Sequence, residues 1–125
     1  MEKIRLTIPK KSEYMSTIRL TTSALSNLKG FNIDDLEDIK VIISEVCTFF
    51  INTIENSSEP LDILYIISDN NLSVEITDLN SGDISDNNRT NSEMSVMIIE
   101  SLADNYNFDL ENKKIIFEKS INNLK

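Results

Sequence analysis

The chain has 125 residues, with 12 Lys plus Arg against 21 Asp plus Glu for a formal net charge of −9, no His and a single Cys. That length suits one compact domain over 1–125, and the acidity, with no basic run beyond Lys10-Lys11 and Lys113-Lys114, argues against nucleic-acid binding. Without His and with Cys47 alone there is no Ser-His-Asp or Cys-His machinery, no His/Cys zinc site and no internal disulfide.

The opening MEKIRLTIPKK lacks the apolar centre of a signal peptide, and no apolar run approaches the roughly 20 residues of a membrane span. The expectation is a cytoplasmic protein with no membrane partner. Residues 3–9 alternate Ile4, Leu6 and Ile8 with Arg5 and Thr7, a strand pattern that Pro9 ends. From Ser12 the period changes. Tyr14, Ile18, Thr21, Leu25 and Leu28 recur at helical spacing, Ser12 is placed to cap, and Gly30 is placed to end the helix in a left-handed turn. A first helix is predicted over 12–29.

Asp34 precedes Glu37 by three residues, an Asp version of the capping box. Leu36, Ile39, Ile43, Val46, Phe50 and Ile54 then form the stripe of a second helix over 34–55, widened by Ile42, Phe49 and Ile51 until most of its circumference is apolar. Cys47 sits in that helix with no basic neighbour, as a small buried hydrophobe. Residues 56–60 read as loop, and the β-rich runs 61–68 and 72–77 flank the turn Asp69-Asn70-Asn71 as a hairpin. The stretch LNSGDISDNNRTN at 79–91 is too polar to pack a core and is predicted as a loop. Ser92 is the expected cap of a third helix with Met94, Met97, Ile98, Ser101 and Leu102 turned inward. Strands at 106–110 and 114–120, joined by Glu111-Asn112-Lys113, close the chain.

The order β-α-α-β-β-loop-α-β-β buries one face of a mixed sheet under helices, an α/β two-layer sandwich. The segment 13–48, with IRLT in the first helix and DLEDIKVIISEVCT through the second, together with ESLAD at 100–104, resembles the bacterial anti-sigma factor serine kinases of the RsbW and SpoIIAB type. These are GHKL ATPases of the Bergerat fold. The resemblance implies a homodimer that binds a sigma factor and an anti-sigma antagonist, with ATP and magnesium as cofactors. It also implies a partner contact through an exposed Arg of the first helix, matched here by Arg19.

The family's nucleotide motifs are altered. Its second helix carries a Glu followed four residues later by an Asn that holds magnesium; Glu45 is present, but the Asn position is Phe49, which offers no oxygen to a hard cation. Its Asp-x-Gly-x-Gly motif, whose Asp receives the adenine amino group, is here Asp78-Leu79-Asn80-Ser81-Gly82, keeping the Asp and the second Gly. Its Gly-x-Gly phosphate turn is Glu93-Met94-Ser95, with a carboxylate where a triphosphate lies. At about 4 Å that repulsion is roughly 1 to 4 kcal/mol per charge pair.

These departures imply a pseudo-enzyme, with Glu45 the remnant of a general base, Asp78 and Gly82 remnants of a nucleotide site, and no cofactor bound. Each has a plainer reading: Glu45 as a solvated carboxylate, Asp78 as a strand-ending turn former, Gly82 as a loop glycine, Arg19 as an ordinary surface cation. The expected function is sequestration of a sigma factor without ATP. The alternative is an active serine-protein kinase in which other groups replace the lost magnesium ligand.

Overall fold

Alternating apolar residues build the sheet, and helical stripes cover one side of it. The computed structural model describes residues 1–82, 84 and 86–121, with the side chains of 86–91 outside the description. The elements are β1 (Glu2–Ile8), a 3-10 turn at Ser12–Tyr14, α1 (Met15–Leu28), α2 (Ile33–Thr53), β2 (Leu61–Ile67), β3 (Asn71–Asp78), α3 (Asp86–Leu102), β4 (Asn105–Asp109) and β5 (Lys114–Ser120). The element order is the one the sequence predicts. The sheet runs β1-β2-β3-β5-β4, and all four pairings are antiparallel.

The expectation of a mixed sheet is therefore corrected. With two helices between them, the chain makes three reversals from β1 to β2, so β2 returns antiparallel beside β1. The single helix α3 leaves β3 and β4 pointing the same way, but β5 lies between them and strand direction alternates throughout. One side of the sheet presents Leu61, Ile63, Tyr65, Ile67, Leu72, Val74, Ile76, Ile115 and Phe117 to a buried cluster that includes Ile18, Ile39, Ile42, Ile43, Val46, Phe50 and Ile99 from the helices. Tyr65 ties α1 to the sheet. Thr22 Oγ1 lies 2.7 Å from the Ile18 carbonyl and shares a 2.6 Å hydrogen bond with the Tyr65 hydroxyl.

Helix boundaries shift for identifiable reasons. Ser12 opens a 3-10 turn without a side-chain cap, and α1 starts at Met15 with none either. The cap of α2 is Asn32, whose Oδ1 accepts from the Asp35 amide at 2.8 Å, two residues before the expected Asp34. Asp34 and Asp35 occupy the first turn, where carboxylates complement the helix dipole. Gly30 takes the left-handed conformation at φ 81° and ends α1 as predicted.

The largest departure is α3. It begins at Asp86, inside the stretch predicted as loop, and Ser92 is a buried interior residue rather than a cap. Met94 and Met97 are 65% and 61% exposed, and Ser101 is exposed, so the expected inner stripe is displaced around the helix. The buried face is Ser92, Ser95 and Ile99, with Val96 and Leu102 half-buried. Residues 83 and 85 of the expected loop lie outside the described residues. Near its end α3 is fastened through Lys119 of β5, whose Nζ donates to the Leu102 carbonyl at 3.0 Å. The same ammonium lies 3.7 Å from Asp35, 3.6 Å from Asp38 and 3.8 Å from Asp104, joining α2, β5 and the end of α3.

Candidate functional site

Glu45 lies midway along α2, half-buried, and Ser95 of α3 donates to its Oε1 at 2.8 Å. The carboxylate thus joins the two helices. One turn further, on the same face, Phe49 is buried. Its ring, with Glu93, Val96, Met97 and Leu110, lines a cavity of about 400 Å³ whose walls are mostly apolar.

Asp78 ends β3 and is 1% exposed. Its Oδ2 stands 2.7 Å from Lys10 Nζ, an ion pair sealed from solvent on both sides. Lys10 follows β1 through the Pro9 turn, and its ammonium donates as well to the carbonyls of Ile54 at 2.6 Å and Asn56 at 3.2 Å. Ile54 is the C-cap of α2, where carbonyls left unpaired by the helix favour a cation. Asp78 Oδ1 accepts from the Asn80 amide at 3.0 Å and from Asn80 Nδ2 at 2.7 Å.

Asn80 is itself buried and fully used. Its Oδ1 accepts from the Glu59 amide, its Nδ2 donates to the Glu59 carbonyl, both at 2.7 Å, and its own carbonyl accepts from Lys113 Nζ at 2.6 Å. An Asn in place of glycine at position 80 therefore locks the end of β3 to the 56–60 loop. Gly82 follows at φ 114°, exposed, and a side chain built there would meet nothing within 4 Å. Its conformation, rather than a close approach, is what calls for glycine.

Arg19 projects from α1 and is exposed. Cys47 is buried at 2% exposure, and burial pushes its thiol up to about 12, with the Arg19 guanidinium pulling weakly the other way. Burial likewise pushes Tyr65 up to about 12, against its hydrogen bond to Thr22, which lowers it. Of the residues singled out from sequence, Glu45 and Phe49 share one helix face, Asp78 closes β3 with Gly82 in the loop that follows, and Arg19 stands apart on α1. Sequence reasoning missed Lys10 and Ser95. Lys10 reads as one of two adjacent surface cations and Ser95 as a polar helix residue, so only the strand-end and helix-face geometry finds them.

Residues 8–119 match the histidine kinase-like ATPase domain family. The chain belongs to that family. Every residue described above falls within the matched stretch. The chain is 37% identical over 78 residues to the serine-protein kinase RsbW of Bacillus anthracis, and 31% identical over 77 residues to that of Halalkalibacterium halodurans. Both alignments take in 62% of this chain but only 49% and 48% of the relatives, so the chain spans about half the length of the curated relatives it matches. Among solved structures, the RsbU and RsbW domains of Rv1364c from Mycobacterium tuberculosis superpose over 96% of this chain and 32% of that one, with a TM-score of 0.72 at 12% identity. At that identity the likeness is one of fold. This histidine kinase-like ATPase domain thus has the two-layer fold of its solved neighbour and is similar to the serine-protein kinases named RsbW, and no helix among its described residues is long and apolar enough to cross a membrane.

Proposed function

We propose that this domain is an anti-sigma factor-like regulator that holds a sigma subunit of RNA polymerase by occlusion, as a cytoplasmic homodimer, with magnesium-ATP binding and kinase activity lost. The observation that carries the reading is the face of α2 at 45 and 49. Magnesium demands oxygen ligands in near-octahedral array, and this face offers a buried phenyl ring and one carboxylate already accepting from Ser95. Ser95 and Glu93 also replace the glycines whose amides wrap phosphates in the family. The residues present do not fit a magnesium nucleotide.

Binding, by contrast, needs only a surface. Arg19 is exposed on α1, free to form the bidentate, charge-assisted bonds with a partner carboxylate that guanidinium groups favour. The net charge of −9 suits a partner whose nucleic-acid-binding faces are basic, and raises encounter rates with it. The similarity to kinases named RsbW supports a transcription-regulatory role of the stress or sporulation kind, with a sigma factor and an antagonist as partners.

The test is capture of the sigma factors of the source organism by the immobilised chain, with and without magnesium-ATP. Capture should be indifferent to nucleotide, and Arg19→Glu should weaken it at least tenfold while leaving the melting temperature unchanged. Capture that requires ATP, or transfer of phosphate to a serine of a co-purifying antagonist, would establish the active kinase instead.

A further inference from the structure

We infer that Lys10 is an internal ligand: its ammonium fills the acceptor site at the end of β3 that would otherwise take the amino group of a nucleobase. The inference rests on the reading of Asp78 as the position that meets that amino group in related domains. Three oxygens converge on Lys10 Nζ, those of Asp78, Ile54 and Asn56 at 2.7, 2.6 and 3.2 Å, and an ammonium has three N–H groups to give them. The other Asp78 oxygen is held twice by Asn80. Each of these oxygens therefore already has a donor from within the chain.

An incoming amino group is at a disadvantage on two counts. It is neutral, so its bonds to the carboxylate are weaker than those of the ammonium. It is also untethered, whereas Lys10 is delivered by the turn after β1 at the millimolar or higher effective concentration of a short linkage. Displacing it would strand a cation between two backbone carbonyls. Occlusion at this end is independent of Phe49 and Glu93, which act on the metal and phosphate side.

The experiment uses the full chain and adenosine as probe, since adenosine has no phosphate and needs no metal. The parent should show no binding at millimolar adenosine. Lys10→Ala should bind adenosine at least tenfold more tightly than inosine, which presents a carbonyl where adenosine has its amino group, and adding Asp78→Asn should abolish the preference. Equal binding of the two nucleosides by folded Lys10→Ala, or adenosine binding by the parent as tight as by the variant, overturns the proposal. If Lys10→Ala fails to fold, the Lys10 ammonium is followed in the parent by ¹⁵N NMR. A slowly exchanging signal that millimolar adenosine leaves unmoved supports the internal ligand, and a signal that adenosine shifts or releases overturns it. Sigma capture is read on Arg19 and not on Lys10, so an absence of capture would remove the functional reading while the nucleoside result still decides this one.

Discussion

Lys10 and Asp78 form an ion pair with side chains 2% and 0% exposed, and such a pair resists loss of one partner far more than loss of both. Lys10→Met leaves a buried carboxylate whose main counterion is gone and is expected to cost about 3–5 kcal/mol, a fall in melting temperature on the order of 10 °C. Lys10→Met with Asp78→Leu should cost less than the single change, as thermal melts of the two variants would reveal. A second residue-scale prediction concerns alkali. Cys47 and Tyr65 have ordinary values of 9.0 and 10.0 and are held at about 12 in the fold, so between those limits the folded chain keeps protons that the unfolded chain has released. Stability then falls as pH rises above 9, by about 1.4 kcal/mol per pH unit for each group once past its unfolded value. Cys47→Ala should move the onset of that decline from near pH 9 to near pH 10, read by denaturant melts across the range.

At the scale of elements, α2 was legible because burial writes itself into sequence: eight of its residues are buried, and the apolar stripe marks six of them, all but Cys47 and Thr53. The start of α3 was not legible. Its first turns, Asp86 to Asn91, carry no apolar residue to set a period, and its buried face uses Ser92, expected as a cap, and Ser95, expected in the altered phosphate turn. Small side chains there let α3 lie close to α2, and the cost of burying the Ser95 hydroxyl is met by Glu45. A double-mutant cycle on Glu45→Ala and Ser95→Ala should therefore give a coupling of about 1–2 kcal/mol in stability. Additive effects would mean that the 2.8 Å bond contributes nothing and that Glu45 is retained for some other reason.

At the scale of the whole molecule, the order of elements and the two layers followed from alternation in the strands, the helical stripes and the turn residues. The antiparallel sheet needed the pairing of β5 between β3 and β4, a long-range choice that no local pattern records. The candidate site divides the same way. Phe49, Glu93 and Asn80 were visible as substitutions, whereas the contacts that replace ligand chemistry, Lys10 on Asp78 and Ser95 on Glu45, join residues 68 and 50 positions apart in the chain. What unites them is the proposed account, in which polar groups at positions that meet a nucleotide in related domains are turned on one another and the exposed Arg19 face of α1 is the one that meets a partner. Isothermal titration of the folded chain with magnesium-ATP and magnesium-ADP, at protein concentrations that detect dissociation constants of hundreds of micromolar, tests that account most directly. The account predicts no binding heat with either nucleotide; saturable binding in that range or tighter would contradict it.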